Sequence, residues 1–143
     1  MRPAVTIVVG VVLYDGRGRL LAARRREGGW EFPGGKVEPG ETERAAAVRE
    51  CAEELGVRVR LSHRLPGSQP CGSHHLLRVF TGRIVEGDPA ARVHAELCWV
   101  DRAQVAALEW LPADRPFLPV VVERLRVPRL AVPRPAGEPG PAR

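Results

Sequence analysis

The stretch from Thr42 to Leu55 constrains this chain more than any other, because it reads as a helix with two unlike faces. Thr42 is a residue type that caps helix N-termini, Glu43 places negative charge in the first turn, alanines fill the interior, and Gly56 follows where a left-handed residue closes a helix. At about 100° per residue and with Val48 as origin, Ala45, Ala52 and Leu55 fall within roughly 60°, whereas Glu50, Glu53 and Glu54 fall near about 200°, 140° and 240°. The spacing therefore predicts an apolar face around Val48 packed on a sheet and an opposite face with three carboxylates. A solvated surface would tolerate such a face, since like charges at i,i+4 cost only about 0.2–0.5 kcal/mol in water. In a partly enclosed site, charges about 6 Å apart repel by roughly 3 kcal/mol at an effective dielectric of 20, and a divalent cation removes that repulsion. Periodicity alone does not choose between these two uses.

Strand signals surround the helix. Val5 to Tyr14 is β-branched and mostly apolar, Asp15-Gly16-Arg17-Gly18 is a turn, and Arg19 to Ala23 continues apolar, which predicts an opening hairpin. Trp30-Glu31-Phe32 reads as a short strand leading into Pro33-Gly34-Gly35, expected to need unusual backbone angles. Val57, Val59 and Leu61 alternate with Arg58, Arg60 and Ser62 as in a half-exposed strand, and Leu65 to Gly72 reads as a loop. Leu76 to Val85 and His94 to Val100 read as two more strands able to pair as a hairpin. Asp101 can cap a short helix to Leu108, and Asp114 a final helix to about Arg126. One domain over residues 1–131 is expected, followed by a Pro/Gly-rich disordered tail at 132–143. The mixture of strands and helices argues for an α/β fold, a mixed sheet with helices on both faces.

Composition narrows the function classes. The longest early apolar run, Val5 to Leu13, is far short of the roughly 20 residues of a membrane span, and no leader pattern precedes it, so a cytoplasmic protein without membrane association is expected. Cys51, Cys71 and Cys98 have no CxxC spacing, so neither disulfides nor structural zinc are expected. The net charge is +5, yet the arginines are scattered along the chain, which argues against a nucleic-acid partner. Six of the seventeen acidic residues fall between Glu38 and Glu54, and so concentrated an acidic stretch invites a cation.

The spacing around the helix is more specific. From Gly35 there follow five residues, Glu41, seven residues, Arg49-Glu50, Cys51, Ala52, Glu53-Glu54, Leu55, Gly56 and Val57. This closely resembles the Nudix box, GX5EX7REUXEEXGU with U a bulky aliphatic, at every fixed position; Cys51 stands at the first U, where slightly weaker packing is expected. The resemblance implies the Nudix fold, a mixed β-sheet sandwiched between α-helices, and hydrolysis of a nucleoside diphosphate linked to another moiety. It implies Mg²⁺, with Mn²⁺ able to substitute, on Glu50, Glu53 and Glu54 with a backbone carbonyl at Gly34 or Gly35, and Glu41 and Arg49 as supports of that cluster.

Around the box, Trp30 to Thr42 and the later Leu97-Cys98-Trp99-Val100 and Trp110 to Pro116 look like the MutT-type branch, whose members cleave (deoxy)nucleoside triphosphates to monophosphate and pyrophosphate. The substrates this implies are 8-oxo-dGTP or dCTP, CTP and 5-methyl-dCTP, in the manner of a nucleotide-pool sanitising enzyme. Asp114 is then expected to read the base edge or to cap the last helix, Arg24 and with less weight Arg25 to contact phosphate, and Glu31 and Gly34 to line the substrate site. Relatives often carry an acid just before the histidine preceding the Trp-Val pair; here Val93 precedes His94, leaving Glu96 as the remaining acidic candidate. Competing readings are another nucleoside diphosphate-X substrate (ADP-ribose, a nucleotide sugar, a dinucleoside polyphosphate) and a nucleotide-sensing module without turnover. Monomer and homodimer both remain open.

Overall fold

A computed structural model describes residues 4–125, so the expected tail at 132–143 lies outside the described residues. Eight strands and three helices follow one another as β1 (Thr6–Leu13), β2 (Leu20–Arg24), β3 (Trp30–Glu31), β4 (Gly34–Lys36), α1 (Glu43–Leu55), β5 (Arg58–Arg64), β6 (Gln69–Pro70), β7 (His75–Glu86), β8 (Glu96–Val100), α2 (Arg102–Ala107) and α3 (Leu118–Arg124), with a 3-10 turn at Arg115–Phe117. The strands form a mixed sheet in the order β4-β1-β7-β5, with β6 added to β7, and a second, antiparallel sheet in the order β3-β2-β8. Within the first, β1 runs parallel to β7 from Thr6↔His75 to Leu13↔Gly82. No described helix is long and apolar enough to cross a membrane.

Both opening strands differ from the expected hairpin. The turn is present, with Asp15 Oδ1 accepting from the amides of Arg17 and Arg19 at 2.9 Å, and Tyr14 bridges Leu20. Beyond that bridge the strands part into different sheets, because β1 has apolar residues on both faces and its two edges are taken by β4 and β7. The expected pairing of the 76–85 and 94–100 strands is likewise absent: β8 pairs with β2, in register Leu21↔Trp99, and β7 with β1 and β5. The 65–72 segment is not wholly loop, since Gln69 and Pro70 pair with Leu77 and Leu76.

Two cores result. Val9, Val11, Leu13, Val57, Val59 and Phe80 pack against α1 on one side of the mixed sheet. On the other side Val12, Leu77 and Val79 meet Val105 of α2, Phe117 of the 3-10 turn and Val121 of α3. The expected sandwich of a mixed sheet between helices is therefore what forms.

The ends of α1 agree with the sequence reading: Thr42 accepts from the Ala45 amide, and Gly56 closes the helix at φ 73°, ψ 27°. Its buried face does not. Ala46, Ala47, Cys51 and Leu55 face the sheet, whereas Val48 is 36% exposed and Ala45 and Ala52 are exposed. The helix is turned so that its packed face centres near Ala47 and Cys51, and Glu50 and Glu54 lie at the edge of that face instead of opposite it. Cys51, fully buried, is a centre of the packing, and burial pushes its thiol up to about 12. The 33–35 segment also differs: Gly34 and Gly35 are outside the positive-φ set and form β4, antiparallel to β1. Their lack of side chains answers a distance and not an angle, because a Cβ at Gly34 would fall 1.8 Å from the Val9 carbonyl oxygen.

This rotation separates two substitutions. Leu55→Ala, at a fully buried position, is expected to destabilise by about 2–5 kcal/mol, and Val48→Ala by less than about 0.5 kcal/mol, as read from urea midpoints. Equal losses would return the packed face to Val48.

Candidate active site

The packed edge of α1 lies directly over β4. Gly34 N donates to Glu54 Oε1 at 2.8 Å, and the Glu50 carboxylate sits so close to Gly35 that a Cβ there would fall 2.4 Å from Glu50 Cδ. The glycine pair therefore lets two helix carboxylates reach the sheet. Glu54 is half-buried, and burial is the main reason its carboxyl is pushed up to about 7, against the opposing hydrogen bond from Gly34.

Arg49 organises the rest of the acidic stretch. Its Nε and Nη2 donate to the two oxygens of Glu41 at 2.7 and 2.9 Å, and Nη1 donates to Glu50 at 2.8 Å and Glu53 at 3.2 Å. Nη2 also donates to the Lys36 carbonyl at 3.0 Å, tying α1 to β4 a second time. The forked pairing with Arg49 holds the Glu41 carboxyl down to about 2. Glu41 is thus a partner of Arg49 through both oxygens, whereas Glu50, Glu53 and Glu54 each keep at least one oxygen free of it.

Among the described residues, no three His, Cys, Asp or Glu side chains are gathered around one ion position. The donors nevertheless fit a hard divalent cation: all are carboxylate oxygens on one helix, Glu50 and Glu53 already converge on a single cationic atom of Arg49, and Glu54 carries a charge that its burial disfavours. Glu50, Glu53 and Glu54 would hold such an ion, with the Gly35 backbone in close contact with the Glu50 carboxylate.

A cavity of about 460 Å³ opens on the other side of β4, lined among others by Arg25, Glu31, Phe32, Gly34, Leu77 and Asp114. Gly34 thus belongs both to the cavity wall and to the contact with Glu54. Asp114 does not cap a helix: it makes no side-chain capping bond, and its Oδ1 accepts instead, at 3.5 Å, from the Phe32 amide. Only 5% exposed and facing the cavity, its carboxyl is pushed by burial up to about 7, with the nearby Glu31 charge adding to the rise.

Arg24 and Arg25 part ways at the end of β2. Arg24 lies opposite Glu96 in the β2–β8 ladder and donates to it at 3.0 Å, so both side chains are spent on each other at the surface. Arg25 lines the cavity and stands 3.8 Å from Glu31. Glu96, the acid considered as a replacement at the altered loop, is therefore directed to Arg24; the loop residue that reaches the site is His94, 4% exposed, with Nε2 2.9 Å from Glu31 Oε2. Sequence reading passed over His94 as a metal or substrate residue, and the absence of an acid at Val93 was the sole signal of a change there. It also passed over Cys71, which lines the cavity through the β6 segment. Of the three tryptophans, Trp110 is core, donating to the Val105 carbonyl at 2.9 Å, and Phe80 is core as well.

Comparison with known proteins places this geometry. The model of the NUDIX domain matches residues 5–121. The chain is 41% identical over 119 residues to a Mycobacterium tuberculosis protein provisionally named 8-oxo-dGTP diphosphatase 2, covering 78% of this chain and 84% of that one. It is 31% identical over 121 residues to the CTP pyrophosphohydrolase of Escherichia coli K12, covering 80% and 88%. The solution structure of the E. coli ORF135 protein matches with a TM-score of 0.73 at 31% identity, over 90% of this chain and 95% of that one. The MutT protein of Methanosarcina mazei matches with a TM-score of 0.73 at 26% identity, over 87% and 96%. The chain belongs to the Nudix family, in its MutT-like branch. It is accordingly a pyrophosphohydrolase, acting on phosphoanhydrides.

The raised carboxyls carry a pH dependence of stability. Glu54 and Asp114 hold protons up to about pH 7 when folded and release them near 4.5 and 3.8 when unfolded, so the folded state binds more protons in between and loses stability as pH rises through that window. His94, raised by its bond to Glu31, acts in the same direction above its ordinary value. Thermal midpoints without added metal are expected to fall from pH 5 to pH 7.5, and less steeply in Asp114→Asn. A midpoint that rises over this range in both proteins would contradict the placement of these carboxyls.

Proposed function

We propose that the protein hydrolyses a (deoxy)nucleoside triphosphate to the monophosphate and pyrophosphate in a Mg²⁺-dependent reaction, as a cytoplasmic nucleotide-pool enzyme acting on 8-oxo-dGTP or on dCTP, CTP or 5-methyl-dCTP. The observation that carries this reading is the division of labour across β4: a cavity of about 460 Å³ with two carboxylates on one side, and the α1 carboxylates on the other, joined through Gly34. A nucleoside fits the first and its polyphosphate reaches the second.

Glu31 and Asp114 offer acceptors to the exocyclic N–H groups of a base, and Asp114, near its titration point at neutral pH, can also donate. Phe32 and Leu77 supply apolar wall. Arg25, which lines both this cavity and the small recess beside Glu54, is the arginine best placed for phosphate, and takes the part that the sequence suggested chiefly for Arg24. Glu50, Glu53 and Glu54 would hold Mg²⁺, which when bound neutralises the polyphosphate and lowers the pKa of an attacking water. Water attacks the β-phosphorus in line, the bond from that phosphorus to the α–β bridging oxygen breaks, and the monophosphate leaves with that oxygen. Arg49 keeps Glu50 and Glu53 oriented, and Glu41 holds Arg49.

A panel of canonical and modified triphosphates, assayed with Mg²⁺ and Mn²⁺, tests the reading through pyrophosphate release. Reaction in H₂¹⁸O is expected to label pyrophosphate and leave the monophosphate unlabelled. Glu53 is 59% exposed, so Glu53→Gln is expected to leave the fold intact and reduce turnover by at least about a thousandfold. Orthophosphate as product, or near-normal turnover in Glu53→Gln, would overturn the assignment.

A further inference from the structure

One buried polar contact, between His94 and Glu31, stands where the wall of the cavity meets the recess beside Glu54 of the carboxylate helix. The 90–95 segment is fastened on two sides: Ala90 N donates to the Leu55 carbonyl at 3.0 Å and Arg92 Nη1 to the Ala52 carbonyl at 3.3 Å at the end of α1, while Arg26 Nε donates to the Val93 carbonyl at 3.1 Å and Ala95 N to the Arg24 carbonyl at 2.9 Å. Held this way, the His94 ring is 96% buried against Glu31, and its Nδ1 is buried with no hydrogen-bond partner among the described residues. The orientation of the contact follows. Glu31 accepts, so Nε2 must carry the hydrogen; the neutral tautomer with hydrogen on Nδ1 would set a bare Nε2 against a carboxylate and leave a buried N–H without acceptor. The neutral Nε2–H ring and the imidazolium both donate to Glu31, so the contact does not depend on which is present.

We propose that His94 is a positioning residue for base selection, fixing the Glu31 carboxylate as a rigid acceptor at the wall of the nucleotide cavity. The inference rests on the pyrophosphohydrolase reading and adds to it the residue that sets the base preference from outside the cavity. Glu31 lies in that wall with Asp114, and its second oxygen faces Arg25 at 3.8 Å. Without the ring, the carboxylate gains rotational freedom, and a base N–H has to order it on binding. Loss of a preset charged acceptor weakens binding of a base that offers an N–H. Glu54 shares the small recess with Arg25, Glu31 and His94, but it is held by the Gly34 amide and not by the ring, so the α1 carboxylates keep their positions. The substitution therefore separates KM from kcat.

His94→Leu removes the donor, and His94→Gln keeps an N–H within reach. With the preferred triphosphate, His94→Leu is expected to raise KM about tenfold or more with kcat within about threefold, and to shrink the kcat/KM ratio between that nucleotide and the other canonical triphosphates; His94→Gln is expected to recover most of the loss. Equal losses in both variants, or a base ranking unchanged in His94→Leu, would overturn the proposal. Imidazole ¹⁵N–¹H spectra of the nucleotide-free protein decide the contact separately: Nε2 carries hydrogen, and its shift moves in Glu31→Gln. A ring with hydrogen on Nδ1 alone, or one indifferent to Glu31→Gln, overturns the proposal even if His94→Leu fails to fold. A wild-type protein inactive on every triphosphate would instead remove the pyrophosphohydrolase reading, with the spectra still deciding the His94 contact.

Discussion

The approach of α1 to β4 is the contact on which the rest depends. It exists because Gly34 and Gly35 have no side chains: one would strike the Val9 carbonyl and the other the Glu50 carboxyl. Removing that bulk allows β4 to pair with β1, and allows Glu54 to accept from the Gly34 amide at 2.8 Å. The same strand then presents its other side to the cavity that contains Glu31 and Asp114. The proposed two-part site, with phosphate chemistry on the helix and base recognition beneath the strand, depends on that one close packing.

That packing concentrates negative charge where water is partly excluded. Arg49 offsets some of it, distributing its donors over Glu41, Glu50 and Glu53, but among the described residues Glu54 makes no ion pair, and it is raised by burial. The structure therefore tolerates a destabilised carboxyl at neutral pH, as sites that bind cations commonly do. Asp114 repeats the pattern in the cavity, and the charge of Glu31 adds to its rise. Hence the acids of α1 suit a divalent ion, and the acids of the cavity suit the polar edge of a base.

What the sequence revealed was local, and what it concealed was not. Thr42 and Gly56 mark the ends of α1 by chemistry confined to a few residues, and the box spacing carried the family. The packed face was misplaced because Ala45, Ala46, Ala47 and Ala52 surround the helix with small apolar residues, so that Val48 outweighed Cys51 although Cys51 is the one fully buried. Strand partners were hidden for a different reason: β1 finds β7 almost seventy positions away, beyond any turn signal. Arg24 and Arg25 were separated by strand geometry, since adjacent residues point to opposite faces and only the ladder with Glu96 reveals which faces the cavity. Asp114 was legible as an acceptor for a backbone amide, but the amide is that of Phe32, across the fold, and not the next turn of its own helix.

Glu50, Glu53 and Glu54 are proposed to form one divalent-cation centre together. Electron paramagnetic resonance of Mn²⁺ titrated into the protein tests it without reference to turnover, by reporting the free ion in the wild type and in Glu54→Gln. Free Mn²⁺ signal is expected to be suppressed by the wild type and restored by the variant, while circular dichroism shows both folded. A wild type that leaves the Mn²⁺ signal untouched, or a Glu54→Gln variant that binds equally well, would overturn that centre.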